Sequence, residues 1–405
     1  MISFGTGMSA AASAGAAARE AATEALAGLR GETPKLAIVF VSSSYPDVEE
    51  AARTVRSVVG DAQIVGGTAG ACVFGGDRVS SLGVSVVLLG GDGLEVYGRV
   101  ATIASPTFME AVPVAERVAR AADIAAARGF GHFACLVLAP GISVDGEALV
   151  AAVRKGAGER AQLAGALTGD DFTMDRPKVF FGDELRSDCV VIIGIFTRKP
   201  VGIAARHGWA AVGPVRTVTR AEGVHLIELD GRPALEVWLE DVRSAGGDPP
   251  AERKACALYL ANNYGIGVTE ASAPRIAIAG EIRELVARSP FAIREDGAVQ
   301  MSAALAEGKQ VSVIHATHDD LLDASGAAAD SALLRAGGRI AGALVFACTG
   351  RLAALGDSFP QEPAAIRRHL GAPMGGACVF GEIARNVRDA DAFFNTTAVV
   401  MAFAA

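Results

Sequence analysis

The chain has 405 residues, 51% of them hydrophobic and 20% charged, with a net charge of −8. That length corresponds to about two or three ordinary domains, and the apolar content can bury a large core. The acidic balance argues against a nucleic-acid partner, which needs a basic face. The six cysteines include no C-x-x-C pair, so they read as free thiols of a reduced, cytoplasmic chain, with no metal and no cofactor expected. The Ala-rich N-terminus lacks a basic leader region and is interrupted by Arg19, Glu20 and Glu24, and no apolar run reaches about 18 residues. A membrane span is not expected.

Taken in order, residues 8–29 predict a helix from their Ala and Glu content. LAIVFVSS (36–43) reads as a strand buried on both faces. Pro46-Asp47 opens a helix with a capping box to Glu50, and Gly60 ends it. AQIVGG, GVSVVLLG and LEVYGRVA read as strands, with GGDG at 90–93 as a hairpin turn. A second unit begins near 131, with the strand FACLVLAP, a helix capped by Ser143, and CVVIIGIF. Between 200 and 335 the pattern changes. Strand-like pieces, a turn at Leu229 to Pro233, a helix from Arg253, strands joined by turns at 296–297 and 307–309, and a helix from Asp319 follow. The last unit has the strand GALVFAC, a helix starting at Pro363 and stopped by Gly371, and a closing strand TTAVVMAF.

One phrase occurs twice. Gly-Ala-Cys-Val-Phe-Gly spans Gly70 to Gly75 and again Gly376 to Gly381. Ser42 to Cys72 and Cys348 to Cys378 are both separated by 30 residues, which suggests a duplicated supersecondary unit. AQLAGALTGDD places a third copy with Gly165 on Gly66 and Asp171 on Cys72. A nucleotide-binding reading of Gly66-Gly67-x-x-Gly70 needs a helix directly after it, and strand-like sequence follows instead. The glycines read as a β-turn or bulge. Because the middle copy carries Asp171 in place of cysteine, thiol chemistry is not the purpose of the repeat.

Around these turns stand the candidate ligand-binding residues: Gly67, Thr68, Asp170, Asp171, Cys348, Arg351, Gly376 and Glu382. Arg351 and Glu382 follow buried-type strands, at the strand ends where ligands collect in α/β sheets. Either they clamp the carboxylate and ammonium of an amino acid, or they pair with each other as a structural salt bridge. Asp170 and Asp171 fit a capped turn or a polar ligand contact. Cys348 and Cys378 are either small apolar residues at strand ends or nucleophiles, the latter needing a base or cation to lower the thiol pKa. His207 beside Trp209 reads as a hydrogen-bonded core residue. His315 and His318 lack a third ligand for a metal.

AIVFVSSSY, IVGGTAG, LAGALTGDD, RHGWAAVGP, IELDGRPALEVW, GALVFACTGR and PMGGACVFGEI, in that order, resemble the FIST family. This family comprises bacterial sensory proteins built of FIST N and FIST C domains. The resemblance covers about residues 30 to 402. It implies a cytoplasmic signal-transduction module that binds a small molecule, an amino acid or a derivative, with a signalling protein as partner. It supplies no catalytic residues. The expected organisation is an N-terminal strand and helix over 1–30, FIST N over 31–220 and FIST C over 221–405. The expected fold is α/β (α+β). Layered mixed sheets covered by helices repeat a strand-helix-strand-strand plan in pseudo-symmetric N and C halves, with the glycine turns facing one cleft. The alternative function is a thiol-dependent amide hydrolase or transferase using Cys348 or Cys378.

Overall fold

The computed structural model describes residues 1–142, 144–175, 177–269, 285–385 and 391–405. The expected Ser143 cap and the 277–284 part of a predicted strand lie outside them. Three units of one plan account for most of the chain. The first holds β1 (Ser3–Ser9), α1 (Ala14–Gly28), β2 (Pro34–Ser42), α2 (Glu50–Val59), β3 (Gln63–Ala69), a hairpin of β4 (Val73–Gly75) and β5 (Arg78–Ser80), and β6 (Val84–Gly90). The second repeats it with β7 (Leu94–Thr102), α3 (Ala111–Ala127), β8 (His132–Pro140), α4 (Gly146–Ala157), β9 (Gln162–Thr168), β10 (Val179–Phe181), β11 (Glu184–Arg186) and β12 (Cys189–Thr197).

The third unit opens with β13 (Val201–Arg206) and is then interrupted by an inserted region. That region contains β14 (Ala210–Ala211), β15 (Arg216–Glu222), β16 (His225–Leu229), β17 (Arg232–Pro233), α5 (Ala234–Ser244), α6 (Arg253–Asn263), β18 (Tyr264–Thr269), β19 (Leu285–Arg288), β20 (Pro290–Ile293), β21 (Val299–Met301) and β22 (Gln310–His315). The unit resumes with α7 (His318–Arg335), β23 (Ile340–Cys348), α8 (Thr349–Leu355), α9 (Gln361–Leu370), β24 (Met374–Val379), the hairpin β25 (Gly381–Arg385) and β26 (Asp391–Phe394), and β27 (Ala398–Ala404).

The units exchange their hairpins. The sheet orders are β1-β6-β2-β3-β10-β11, β7-β12-β8-β9-β25-β26 and β13-β27-β23-β24-β4-β5. Each six-stranded sheet thus has four strands of its own and a hairpin donated by another unit, and the donations close in a circle. The inserted strands form a separate nine-stranded sheet.

Strand periodicity explains the packing. Leu36, Ile38 and Phe40 of β2 point into a central core shared by all three sheets, while Ala37, Val39 and Val41 meet α1 and α2 outside. β8 divides the same way, with Leu136 and Leu138 inward and Cys135 and Val137 against helices. So does β23, where Leu344 and Phe346 face inward and Val345 outward. Burial on both faces is why these strands read as continuous apolar runs. The Phe40 and Phe346 rings meet edge-on at 5.9 Å, joining two sheets.

Several local expectations change. Helix α1 begins at Ala14, capped by Ser13, and residues 8 and 9 belong to β1. The Asp47 carboxylate accepts from Ala14 N at 3.2 Å, tying α1 to α2, and forms no capping box with Glu50. GGDG at 90–93 is no hairpin turn. β6 pairs with β1 and β2, β7 with β12, and the turn carries the chain between sheets. Asp145 caps α4, accepting from Glu147 N and Ala148 N. A short helix, α8, precedes the expected one, and α9 starts at Gln361.

The repeated glycines sit within strands and not in turns. A Cβ on Gly66, Gly165 or Gly376 would lie 1.8, 1.9 and 1.8 Å from the carbonyl oxygens of Val39, Val137 and Val345 on the parallel neighbour. Only glycine permits that approach. These three positions set the true register of the repeat, in which Cys378 corresponds to Thr68 and Leu167. The duplicated phrase is therefore four residues out of register. Its first copy runs into the donated hairpin strand β4, its second lies on β24, and the two pair with each other in one sheet. Cys378 N donates to Cys72 O at 2.9 Å, and the two sulfurs are 2.9 Å apart.

Candidate functional site

The three β3-type strands end around a common centre. Gly70 N donates to Cys378 O at 2.7 Å, Gly169 N to Thr68 O at 3.2 Å, and Phe380 N to Leu167 O at 2.9 Å. These are the same two positions in each unit, so a ring of three backbone hydrogen bonds joins the units. The Thr68 hydroxyl adds a bond to Gly169 O at 2.6 Å. Gly67 packs against the β10 backbone, where a Cβ would lie 2.3 Å from Lys178 O.

A cleft of about 1440 Å³ opens beside this ring, between the first-described core and the inserted sheet. Its floor is Thr349 and Gly350 at the end of β23, with Gly141 after β8 and Leu167 of β9. Its walls come from one face of α6, from β20 and β21, and from Phe172 and Met174 in the loop after β9. The cleft therefore lies at the carboxyl ends of the parallel strands β8, β9 and β23, where α/β sheets leave backbone groups open.

The sequence-predicted residues stand behind this lining. Arg351 is fully buried, and its guanidinium is spent inside the protein. Nε reaches both Glu362 oxygens at 3.1 and 2.9 Å, and a terminal nitrogen approaches Glu362 at 2.7 Å. Further bonds go to His207 O, Leu321 O and Ser325 Oγ. Arg351 thus pairs with Glu362 from α9, not with Glu382. The pairing welds α7, α8 and α9 under the cleft floor.

Glu382 occupies a hairpin position where the other two units carry apolar side chains. Paired with Ala166, it stands where Val73 faces Ala377 and Val179 faces Gly67. It is fully buried; Oε2 accepts from Thr397 N at 3.3 Å, and Oε1 has no hydrogen-bond partner among the described residues. Burial pushes its carboxyl well above the ordinary range, against the opposing pull of the Cys348 thiol, the Thr397 N–H and Arg351. Burial likewise pushes the Cys348 thiol well above its ordinary value, with Glu382 adding to it and the N–H groups of Gly350 and Thr396 opposing. Cys378 is raised in the same way, with Cys72 contributing. Raised thiols are poor nucleophiles at neutral pH. Cys348 lies close beneath the floor. A Cβ on Gly350 would come 3.6 Å from Ser289 Oγ and 3.7 Å from Cys348 Sγ.

The aspartate pair shapes a wall. Asp170 is buried and accepts from Met174 N at 3.1 Å and Asp175 N at 2.9 Å, folding the loop that carries Phe172 and Met174. Asp171 accepts from Ser42 Oγ at 3.1 Å and from Ser44 Oγ, which joins the end of β2 to that loop. The histidines serve locally. His207 Nδ1 accepts from Trp209 N, and burial pulls its pKa down to about 4. His315 Nδ1 meets Asn263 O, and His318 Nε2 meets Ala354 O.

Three contributors carry no motif. Arg288 is buried and links the inserted sheet to Glu147 of α4 and to Asn395. Asn262 lines the cleft from α6. Phe172 follows the recognised aspartates directly, and an aromatic residue beside a polar turn was the available signal. No helix among the described residues is long and apolar enough to cross a membrane.

Comparison with known proteins agrees with the sequence pattern. The FIST N domain model matches residues 35–232, and the FIST C domain model matches residues 234–385. No curated protein matches the chain. Among solved structures, a cyanuric acid hydrolase from A. caulinodans aligns over 100% of both chains at 9% identity, with a TM-score of 0.34. A second cyanuric acid hydrolase, described as an evolutionary innovation by structural concatenation, aligns over 100% of both chains at 11% identity and 0.29. Likeness at that level carries no argument. The two domain matches cover nearly the whole sequence, and the chain belongs to the FIST family, whose domains are signal-transduction sensor modules.

Proposed function

We propose that this chain is a sensor whose small-molecule ligand, an amino acid or a derivative of one, binds in the cleft between the three-unit core and the inserted sheet. The observation that carries the reading is the position of the cleft. It lies at the carboxyl ends of β8 and β9, parallel in one sheet, and of β23, parallel to β24 in another, and its walls come from parts of the chain more than 100 residues apart. A ligand there touches the core and the insertion together, so its binding energy can bias their relative position. A signalling protein that contacts the inserted sheet would read that change.

In this reading the residues singled out from sequence act from behind the lining. Asp170 and Asp171 hold the Phe172–Met174 wall. Gly67, Thr68 and Gly376 let the strand ends approach closely. Cys348, Arg351 and Glu382 support the Thr349–Gly350 floor. The test is thermal unfolding of the full chain against the amino acids and their simple derivatives. The expected result is a rise in Tm with a subset of them, lost in an Ala261→Trp variant that fills the cleft. Absence of any rise well above millimolar ligand would sink the reading.

A further inference from the structure

The three units allow each position to be compared with two others. Where a donated hairpin first meets the β3-type strand, the facing residues are Lys178 and Thr68 in one sheet, Gly381 and Leu167 in the second, and Cys72 and Cys378 in the third. The fold needs no sulfur there, since lysine with threonine and glycine with leucine both serve. The third sheet nevertheless brings two cysteines together from positions 306 residues apart.

The geometry suits a bond between them. Both are buried free thiols, Cys378 N donates to Cys72 O at 2.9 Å, and the sulfurs are in contact at 2.9 Å. Facing residues on antiparallel strands stand about 4.5–5.5 Å apart at Cα, within the roughly 4.4–6.8 Å that a disulfide spans. The backbone is strained at the same point. Ala71 has a φ of 66°, in the left-handed region that non-glycine residues avoid. Gly70 N donates to Cys378 O at 2.7 Å, and Ala71 turns the chain so that Cys72 returns to the same residue. The hairpin so placed is short. β4 and β5 have three residues each, and β5 is the edge of its sheet, so this pairing belongs to the parts of a fold that open locally.

We propose that Cys72 and Cys378 form a reversible disulfide that fastens the hairpin of the first unit to β24 of the third. The oxidant class is a hydroperoxide, small enough to reach Cys72 when the hairpin opens. Cys72 keeps 4% exposure and Cys378 none, so Cys72 reacts first. Burial also holds the Cys378 thiol well above its ordinary value, which unfits it for the first step. With hydrogen peroxide, the Cys72 sulfur attacks one oxygen, the O–O bond breaks, and a sulfenic acid and water form. The Cys378 sulfur then attacks the Cys72 sulfur, the S–O bond breaks, and the oxygen leaves as a second water with the Cys378 proton. Two thiols are oxidised by two electrons and the peroxide is reduced by two. The fastened segment backs the cleft floor, since a Cβ on Gly70 would meet Thr349 Cγ2 at 2.4 Å. The inference stands independently of what the cleft binds.

The experiment treats the folded full chain with a small molar excess of hydrogen peroxide near neutral pH. Catalase then removes the oxidant, N-ethylmaleimide blocks free thiols in denaturant, and the linked peptides are mapped by mass spectrometry. A peptide pair joined through Cys72 and Cys378 is expected, lighter by two hydrogens and separated by dithiothreitol. The oxidised chain should melt at least about 3 °C higher than the reduced one, and dithiothreitol should reverse the rise, which distinguishes it from methionine oxidation. Cys72→Ala and Cys378→Thr should fold, because the matching positions hold lysine, glycine and threonine, and neither should show the reversible rise. Recovery of both residues as blocked thiols after prolonged treatment would overturn the proposal. So would linkage of either to a different cysteine, or a Cys72–Cys378 linkage that forms only when peroxide is added to the unfolded chain. A linked protein that melts no later than the reduced one would overturn the fastening role.

Discussion

Two fully buried glutamates, Glu362 and Glu382, stand a short distance from each other beneath the same floor and are treated in opposite ways. Glu362 meets a guanidinium held by four further acceptors, the carbonyls of His207, Thr396 and Leu321 and the Ser325 hydroxyl. Glu382 has one long bond from Thr397 N, the Cys348 thiol beside it and an oxygen with no partner among the described residues. The first arrangement is a buried salt bridge whose cation is hydrogen-bonded throughout. The second favours the protonated acid, because desolvation exceeds what its neighbours return. A buried charge in this molecule is structural where its partner is complete, and a departure from the repeat where it is not.

The largest effect should come from breaking the complete pair. Arg351→Met leaves Glu362 buried without a counter-charge and strips several carbonyls of their donor. Removing one partner of a buried pair costs roughly 3–5 kcal/mol. Urea unfolding should show a midpoint lowered accordingly, and Arg351→Lys should recover only part of it, because an ammonium cannot reproduce the forked geometry. A loss below about 1 kcal/mol would show that the pair is incidental.

Next in size is the titration of His207, whose carbonyl receives Arg351 and whose ring is buried. Its pKa is lowered from 6.5 to about 4, so the folded state binds fewer protons than the unfolded state between those values. Its contribution to stability is present above pH 6.5 and is lost as the pH falls toward 4. Unfolding measured at steps through that window should show a steeper acid loss in wild type than in His207→Gln. Parallel curves would place the titration elsewhere.

These pairings were only partly readable from the chain. The strands were legible because β2, β8 and β23 are buried on both faces and therefore read as unbroken apolar runs. The glycine positions Gly66 and Gly165 were legible as equivalents, but their cause was not, since a close approach inside a strand and a tight turn leave the same residue. The hairpin exchange was invisible. β4 pairs with a strand some 300 residues away, and no local pattern encodes that distance. The repeated phrase misled for a related reason. The path from Ser42 to Gly66 is four residues shorter than that from Cys348 to Gly376, which holds α8 as well as α9, so equal spacing to the cysteines concealed a shift in register. Arg351 and Glu382 were found because charge after a buried strand is conspicuous. Glu362 was missed because it looks like any acid in a helix's first turn. The cleft was missed because α6 and β20 contribute ordinary residues whose role appears only once the insertion folds back on the core.

The smallest effect is the one that tests the incomplete side of the comparison. Glu382→Gln keeps the shape and removes the titration. With its pKa raised in the folded state, Glu382 binds more protons folded than unfolded once the pH exceeds the ordinary carboxyl value of about 4.5. Wild type therefore loses stability relative to Glu382→Gln as the pH rises from there, and the two proteins converge below it. The valines at the matching positions of the other hairpins show that the site accepts an apolar side chain, so Glu382→Val should also fold. At pH 8 it should be no less stable than wild type. If wild type instead gained on Glu382→Gln with rising pH, the carboxylate would be ionised and matched, and the distinction between the two glutamates would collapse. The same variants bear on the thiol. Burial raises both groups and leaves Cys348 enclosed, so its alkylation by iodoacetamide should require denaturant in wild type and in Glu382→Gln alike. Rapid native-state alkylation at Cys348 that Glu382→Gln abolishes would turn this pair from a supporting element into a reactive one.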